Sequence, residues 1–268
     1  MPISSLHEYA SAPSVRGLLK GQRRSLRDIR QPVGNDEPEL FILPRQALRN
    51  RSRTGADTQI RWPVRRRGGV SPGRADTSSA AGEWILRATC AEAALWTSGV
   101  IGVNVAAGQI DDGLLHSQVA AALDASGLDP ERLELALPEP ALAALDDDAL
   151  LVFAALRDLG VGLALDDFGA GACSFSLLRR LPISVLKLSR SLVRGLTVEP
   201  GDDAIVRAIV STAHALGLSV IADGVETAAQ NKFLLACGCD EGQGLYFGTP
   251  VRARRAHPNV SPPAQMSR

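Results

Sequence analysis

The sequence predicts an α/β fold built on an eight-stranded βα barrel, and three observations carry that prediction. From about residue 84, short apolar runs alternate with longer segments whose apolar residues recur at helical spacing. The short runs are nearly continuous in hydrophobic residues, as in a parallel sheet covered on both faces. Polar residues fall at or just beyond the ends of these runs in five βα units: Asn104, Asp166 with Asp167, Lys187 with Ser189, Asp223 with Glu226, and Gln243. In a closed barrel such ends converge on one pocket, whereas the alternative, a doubly wound open sheet, spreads them along a line.

In chain order, residues 1–38 lack clear periodicity apart from "RGLLKGQRRSLRDIR", which reads as one basic amphipathic helix in an N-terminal extension. Two strands are expected around "LFIL" and "GADTQIRW". The helical "GEWILRATCAEAALWTSG" leads to the strand "IGVNV" (101–105), and "HSQVAAALDASG" leads to "LELAL" (133–137). Next, "ALAALDDDALLVFAALRDLG" precedes "VGLALDD" (161–167), which is followed by the strand "SVLKLS" (184–189). "DDAIVRAIVSTAHALG" then precedes "LSVIAD" (218–223), and "TAAQNKFLLACG" precedes "GQGLYF" (242–247). Several of these helices end in glycine, which favours helix C-termini. The barrel is expected over 39–250, and 251–268, rich in Pro, Arg and Ser, reads as a flexible tail.

With 268 residues and 45% hydrophobic content the chain can bury a sizeable core, which excludes a disordered protein. Its net charge of zero gives no bulk preference for DNA or an anionic membrane. Residues 45–74 hold nine arginines and Asp57 as their sole acid, a pattern that suits either a local grip on phosphates or solvated loops. No run approaches the roughly 20 apolar residues of a membrane span, and the N-terminus shows no signal-peptide core, so a cytoplasmic location is expected. Cys90, Cys173, Cys237 and Cys239 are too scattered for a disulfide scaffold, and the four histidines match no metal or nucleophile spacing.

Carboxylates gathered with an asparagine are oxygen ligands for hard cations such as Mg²⁺ or Mn²⁺, and two such ions can clamp a phosphodiester and generate a nucleophile. Lys187 is one of three lysines and is placed to stabilise charge or position water. Singly, each residue has a plain structural reading: Asp166 or Asp167 caps a helix, and Asn104 makes a turn. Together, at the ends of buried strands, they carry a desolvation cost that a cation or ligand would offset.

Longer stretches resemble the EAL domains, a family that includes bacterial phosphodiesterases linearising cyclic di-GMP. "LALDDFGAGACSFSLLRRLPISVLKLSRSLV" resembles the family's DDFGTG stretch and its lysine-bearing strand. "VIADGVETAAQNKFLLACGCDEGQGLYFGTPV" is similar to its AEGVET and QGYYF-x-x-P segments, and "IGVNVAAGQI" to its SVN-S-x-x-Q strand. The resemblance implies a TIM-like barrel with one reversed strand, acting in cyclic di-GMP signalling. It implies metal ligands at Asp57, Asn104, Asp166 and Asp167, catalytic roles for Asp223 and Lys187, and ligand contacts at Arg61, Glu226, Gln243 and Pro250. Cyclic di-GMP is the implied ligand, Mg²⁺ or Mn²⁺ the implied cofactor, and a second copy, meeting the segment after Gly171, the implied partner; another protein is the alternative partner, and neither DNA nor a membrane is expected.

Departures from the family pattern bear on activity. Its signature Glu-Ala-Leu is replaced by Asp57-Thr58-Gln59, which shortens the carboxylate arm by on the order of 1.5 Å. A metal-ligating glutamate falls on Ala136, whose methyl has no lone pair. Glu139 survives between Pro138 and Pro140, the acid after the lysine becomes Ser189, the catalytic glutamate becomes Asp223, and a ligand-side glutamine becomes Leu43 beside Pro44. The stretch 73–81 is shorter than is usual for the family. Two functions follow as expectations: an impaired domain that binds ligand or protein, or an active cyclic-guanylate-specific phosphodiesterase forming linear pGpG.

Overall fold

The computed structural model describes residues 39–61, 79–142, 147–171 and 175–253. The expected basic helix within 1–38, most of the shortened 73–81 stretch, Cys173 and the tail beyond 253 lie outside the described residues.

Strands β1 (Glu39–Ala47), β2 (Arg53–Arg61), β3 (Val100–Asn104), β4 (Leu133–Pro138), β5 (Gly162–Phe168), β6 (Val185–Leu188), β7 (Ser219–Ala222) and β8 (Glu241–Gln243) form one closed ring. From β2 to β8 each strand pairs with its successor in parallel, and β1 closes the ring antiparallel to both β8 and β2. The chain is thus a TIM-like barrel with β1 reversed. The C-terminal ends of β2 to β8 define its mouth, and their starts its floor.

The helices that cover the outside include α1 (Ser79–Ala93), α2 (Ala107–Asp111), α3 (Leu115–Ser126), α4 (Asp147–Asp158), α5 (Phe175–Leu178), α6 (Arg190–Gly195), α7 (Pro200–Ala215) and α8 (Ala228–Cys237). Strand alternation sorts the side chains: Leu133, Leu135 and Leu137 of β4 face this helical layer, while Glu134 and Ala136 face the barrel interior. Leu86, Val119, Phe153, Leu156, Val206, Val210 and Leu234 are buried from the helix side. Each such side chain stabilises by about 1.5–3 kcal/mol, so the layer between strands and helices, rather than the polar interior, holds the barrel together. Among the described residues no helix is long and apolar enough to cross a membrane.

Three local expectations are corrected. "GQGLYF" is not one strand: β8 ends at Gln243, and Gly244 turns the chain at φ +137°. A Cβ on Gly244 would strike the backbone of Val225, whose carbonyl accepts the Tyr246 amide at 3.0 Å. The helical segment expected over 141–160 opens instead in a 3₁₀ turn at Glu139–Leu142, and α4 covers Asp147–Asp158, where Asp147 and Asp148 suit the positive end of a helix. Ordered structure also runs past residue 250, because β9 (Val251–Arg252) pairs antiparallel with Phe41 and Ile42 of β1. Arg252 adds an ion pair to Glu39 at 2.7 Å.

Candidate functional site

Charge enters the barrel interior through strand alternation. Glu134 lies between Leu133 and Leu135, Lys187 between Leu186 and Leu188, and each apolar pair faces outward while the charge faces inward. Lys187, 1% exposed, places Nζ 2.7 Å from Asp57 Oδ2 and 3.2 Å from Glu134 Oε1. Arg45, 2% exposed, donates from Nη1 to Glu134 at 2.8 Å, pairs through Nε with Glu241 at 2.9 Å, and approaches Asp57 at 3.9 Å. Burial opposes the charge on Lys187, but Asp57 and Glu134 outweigh it and hold the ammonium above the usual lysine range. Burial likewise opposes the Asp57 carboxylate. Attraction to Lys187 and Arg45, with hydrogen bonds from Lys187 and Gln243, overcomes it and holds that carboxyl below its ordinary value.

Nearer the mouth the two adjacent aspartates part company. The β5–β6 register breaks between Leu165 and Phe168, a bulge that contains both acids. Asp166 is half-buried, and burial, opposed by Lys187 and reinforced by Asp167 and Asp57, pushes its carboxyl up to about 6. Asp167 is exposed at φ +56°, a left-handed conformation that aspartate tolerates better than most residues. Asn104 is exposed at the end of β3 and in register with Ala136. Just beyond β7, Asp223 accepts Gln243 Nε2 at 3.1 Å and lies 3.5 Å from Arg190. Burial raises the Asp223 carboxyl against the opposing pull of Arg190 and Gln243.

Asp57, Asp166, Lys187, Asp223 and Gln243 therefore share one interior, each sensing at least one of the others. The remaining sequence candidates are carried by β2 and by the turns before α8 and β9. Glu226 is exposed in the turn before α8, where its amide donates to Gln230 Oε1 at 2.8 Å. Pro250 is half-buried immediately before β9, and Arg61 closes β2 opposite Glu39. Ser189 caps α6, accepting the Leu192 amide at 3.4 Å. Two residues of the network, Arg45 and Glu134, are absent from the candidates read from the sequence, and a third, Glu139, is placed differently than its prolines suggest. Arg45 is not part of a solvated or phosphate-gripping stretch but is buried in the ion network, and Glu134 is its partner. Glu139 is buried despite its flanking prolines, and its Oε2 accepts the Gly169 amide at 3.2 Å, tying the exit of β4 to the loop after β5. A charge alternating with leucines is a legible signal for Glu134; an arginine within an arginine-rich stretch carries none.

Residues 26–250 match the family described as EAL domain. The chain belongs to the EAL domain family. Among its relatives is the bifunctional diguanylate cyclase/cyclic di-GMP phosphodiesterase MucR of Pseudomonas aeruginosa, 33% identical over 260 residues, a match covering 92% of this chain and 38% of MucR. The cyclic di-GMP phosphodiesterase NbdA of the same species is 34% identical over 236 residues, covering 84% of this chain and 30% of NbdA. This EAL chain thus spans well under half the length of either relative. Among solved structures, the PaMucR phosphodiesterase in complex with c-di-GMP superposes with a TM-score of 0.76 at 33% identity, covering 82% of this chain and 94% of that one. The manganese/cy-diGMP complex of Klebsiella pneumoniae BlrP1 gives 0.69 at 26% identity, covering 83% and 58%.

For the Mg²⁺ or Mn²⁺ implied by the resemblance, the donor set of this EAL domain is incomplete. Asp57 Oδ2 is taken up by Lys187, and Ala136 presents a methyl between Asn104 and Ala164 in the strand register. Among the described residues no three His, Cys, Asp or Glu side chains stand close enough together to hold a metal ion. As arranged, these residues do not fit a pair of divalent cations.

Proposed function

We propose that this EAL domain binds cyclic di-GMP at the barrel mouth and is impaired in hydrolysing it, serving cyclic di-GMP signalling as a ligand-binding or protein-interaction module. The observation that carries this reading is Ala136. It occupies an inward-facing position of β4 beside Asn104, where the family resemblance calls for a carboxylate, and its methyl cannot donate an electron pair to a cation. Losses within one catalytic constellation are far from additive, so a single missing ligand is enough to remove most turnover. Binding makes smaller demands than turnover, because it needs the barrel and its surface but no second metal ion.

A second reading, an active metal-dependent phosphodiesterase, draws on the convergence of Asp57, Asp166, Lys187 and Asp223. In it Lys187 positions the attacking water and Asp223 accepts its proton. Calorimetric titration with cyclic di-GMP, paired with an assay for linear pGpG in Mg²⁺ or Mn²⁺, separates the two. Binding with negligible product is expected, and robust turnover would replace the first reading with the second. Adding Ala136→Glu together with Asp57→Glu is expected to raise pGpG formation by about 100-fold or more over the parent; no change would place the defect elsewhere than in the donor set. Absence of binding would leave a protein partner or a second copy as the target.

A further inference from the structure

Arg190 follows the capping Ser189 and opens α6 at the rim of the mouth. Its side chain is 59% exposed, yet its stem is seated. The stem lies along the backbone of Gly224, where an added Cβ would come within 2.9 Å of Nε and 3.1 Å of Cδ. Gly224 has φ +79°, a conformation natural to glycine, so the stem packs on bare backbone and the guanidinium is carried out over Asp223. There Nη2 stands 3.5 Å from Asp223 Oδ2, at the outer limit of a hydrogen bond, while the other Asp223 oxygen is engaged by Gln243. Among the described residues Asp223 is the one ion-pair partner of a five-donor fork.

Two other cations of the barrel whose side chains are described are already engaged by carboxylates. Lys187 is buried against Asp57 and Glu134, Arg45 lies on the floor among carboxylates, and Asp166, Asp167 and Asp223 add negative charge. With Ala136 unable to help retain a cation, an entering phosphodiester must be met by the chain's own side chains. We infer that Arg190 is a phosphate-binding residue of this mouth: in the free protein its guanidinium rests on Asp223, and it transfers to the non-bridging oxygens of the cyclic dinucleotide when that ligand enters. Planar arginine matches two phosphate oxygens at once, and a weak, exposed pair to Asp223 is easily exchanged for that contact. The inference rests on the ligand reading given above.

The test is calorimetric titration of the full chain with cyclic di-GMP at low and high NaCl, using the parent, Arg190→Ala and Arg190→Lys, with the Tm of each. Arg190→Ala is expected to weaken binding about tenfold or more at low salt, and Arg190→Lys, which keeps the charge but not the fork, to recover part of that loss. Added salt weakens the parent more than Arg190→Ala, and the three Tm values agree, because an exposed side chain contributes little to folding. Asp223→Asn releases Arg190, so it tightens binding more in the parent than in the Arg190→Ala background. Parent-like affinity and salt response in Arg190→Ala, or equal tightening by Asp223→Asn in both backgrounds, would overturn the role of Arg190. No binding by the parent itself would instead overturn the ligand reading, and this inference with it.

Discussion

Asp166 and Asp167 are adjacent, identical in chemistry and opposite in circumstance. Burial pushes the Asp166 carboxyl up to about 6, so the folded chain holds this proton more tightly than the unfolded chain does. As pH rises from about 4 to about 6, the unfolded state has already released the proton and the folded state has not. Stability from this site therefore falls through that window and levels off above it. Asp166→Asn is expected to be about 2 kcal/mol more stable than the parent near pH 7 and nearly equal to it near pH 4, by urea denaturation. A gap independent of pH would count against the assignment. The sequence makes this pair legible as a site, since position after a buried strand is enough. It does not reveal which acid turns inward, because that depends on a bulge whose placement is set by pairing with β6.

The elements themselves are read well where periodicity is long. Each strand from β3 to β7 falls within one residue at either end of the apolar run that predicts it, and α3, α7 and α8 follow their helical spacing closely. The misreadings share one cause: composition identifies apolar segments but not where a backbone must bend. "GQGLYF" is apolar enough for a strand, yet Val225 packs so closely on Gly244 that the chain turns there and delivers Tyr246 and Phe247 elsewhere. Gly244→Ala meets both a positive φ and a backbone wall. It is expected to destabilise by about 2–4 kcal/mol and to loosen Gln243, whose carbonyl accepts the Val225 amide at 3.0 Å. Chemical denaturation measures the first effect, and weaker cyclic di-GMP binding at a temperature where the variant is fully folded reports the second. A variant as stable as the parent would remove the steric explanation for the turn.

Across the whole molecule, five strands are joined through the ion network: Arg45 on β1, Asp57 on β2, Glu134 on β4, Lys187 on β6 and Glu241 on β8. Arg45 belongs to the reversed strand that closes the ring, so its loss leaves Lys187 alone against three carboxylates at the closure. Arg45→Met is expected to cost about 3–5 kcal/mol in a single cooperative urea transition, whereas a loss below about 1 kcal/mol would show that the pairs contribute little to closure. The reversal of β1 also decides connectivity. Glu39 starts beside Arg61 at the mouth rather than at the floor, and β9 brings the chain back to Phe41 at that same end. The polypeptide thus enters and leaves its barrel on the rim that carries the site. A pull applied at Glu39 or Arg252 would therefore load the rim that gathers Asp166 and Asp223 before it reached the floor.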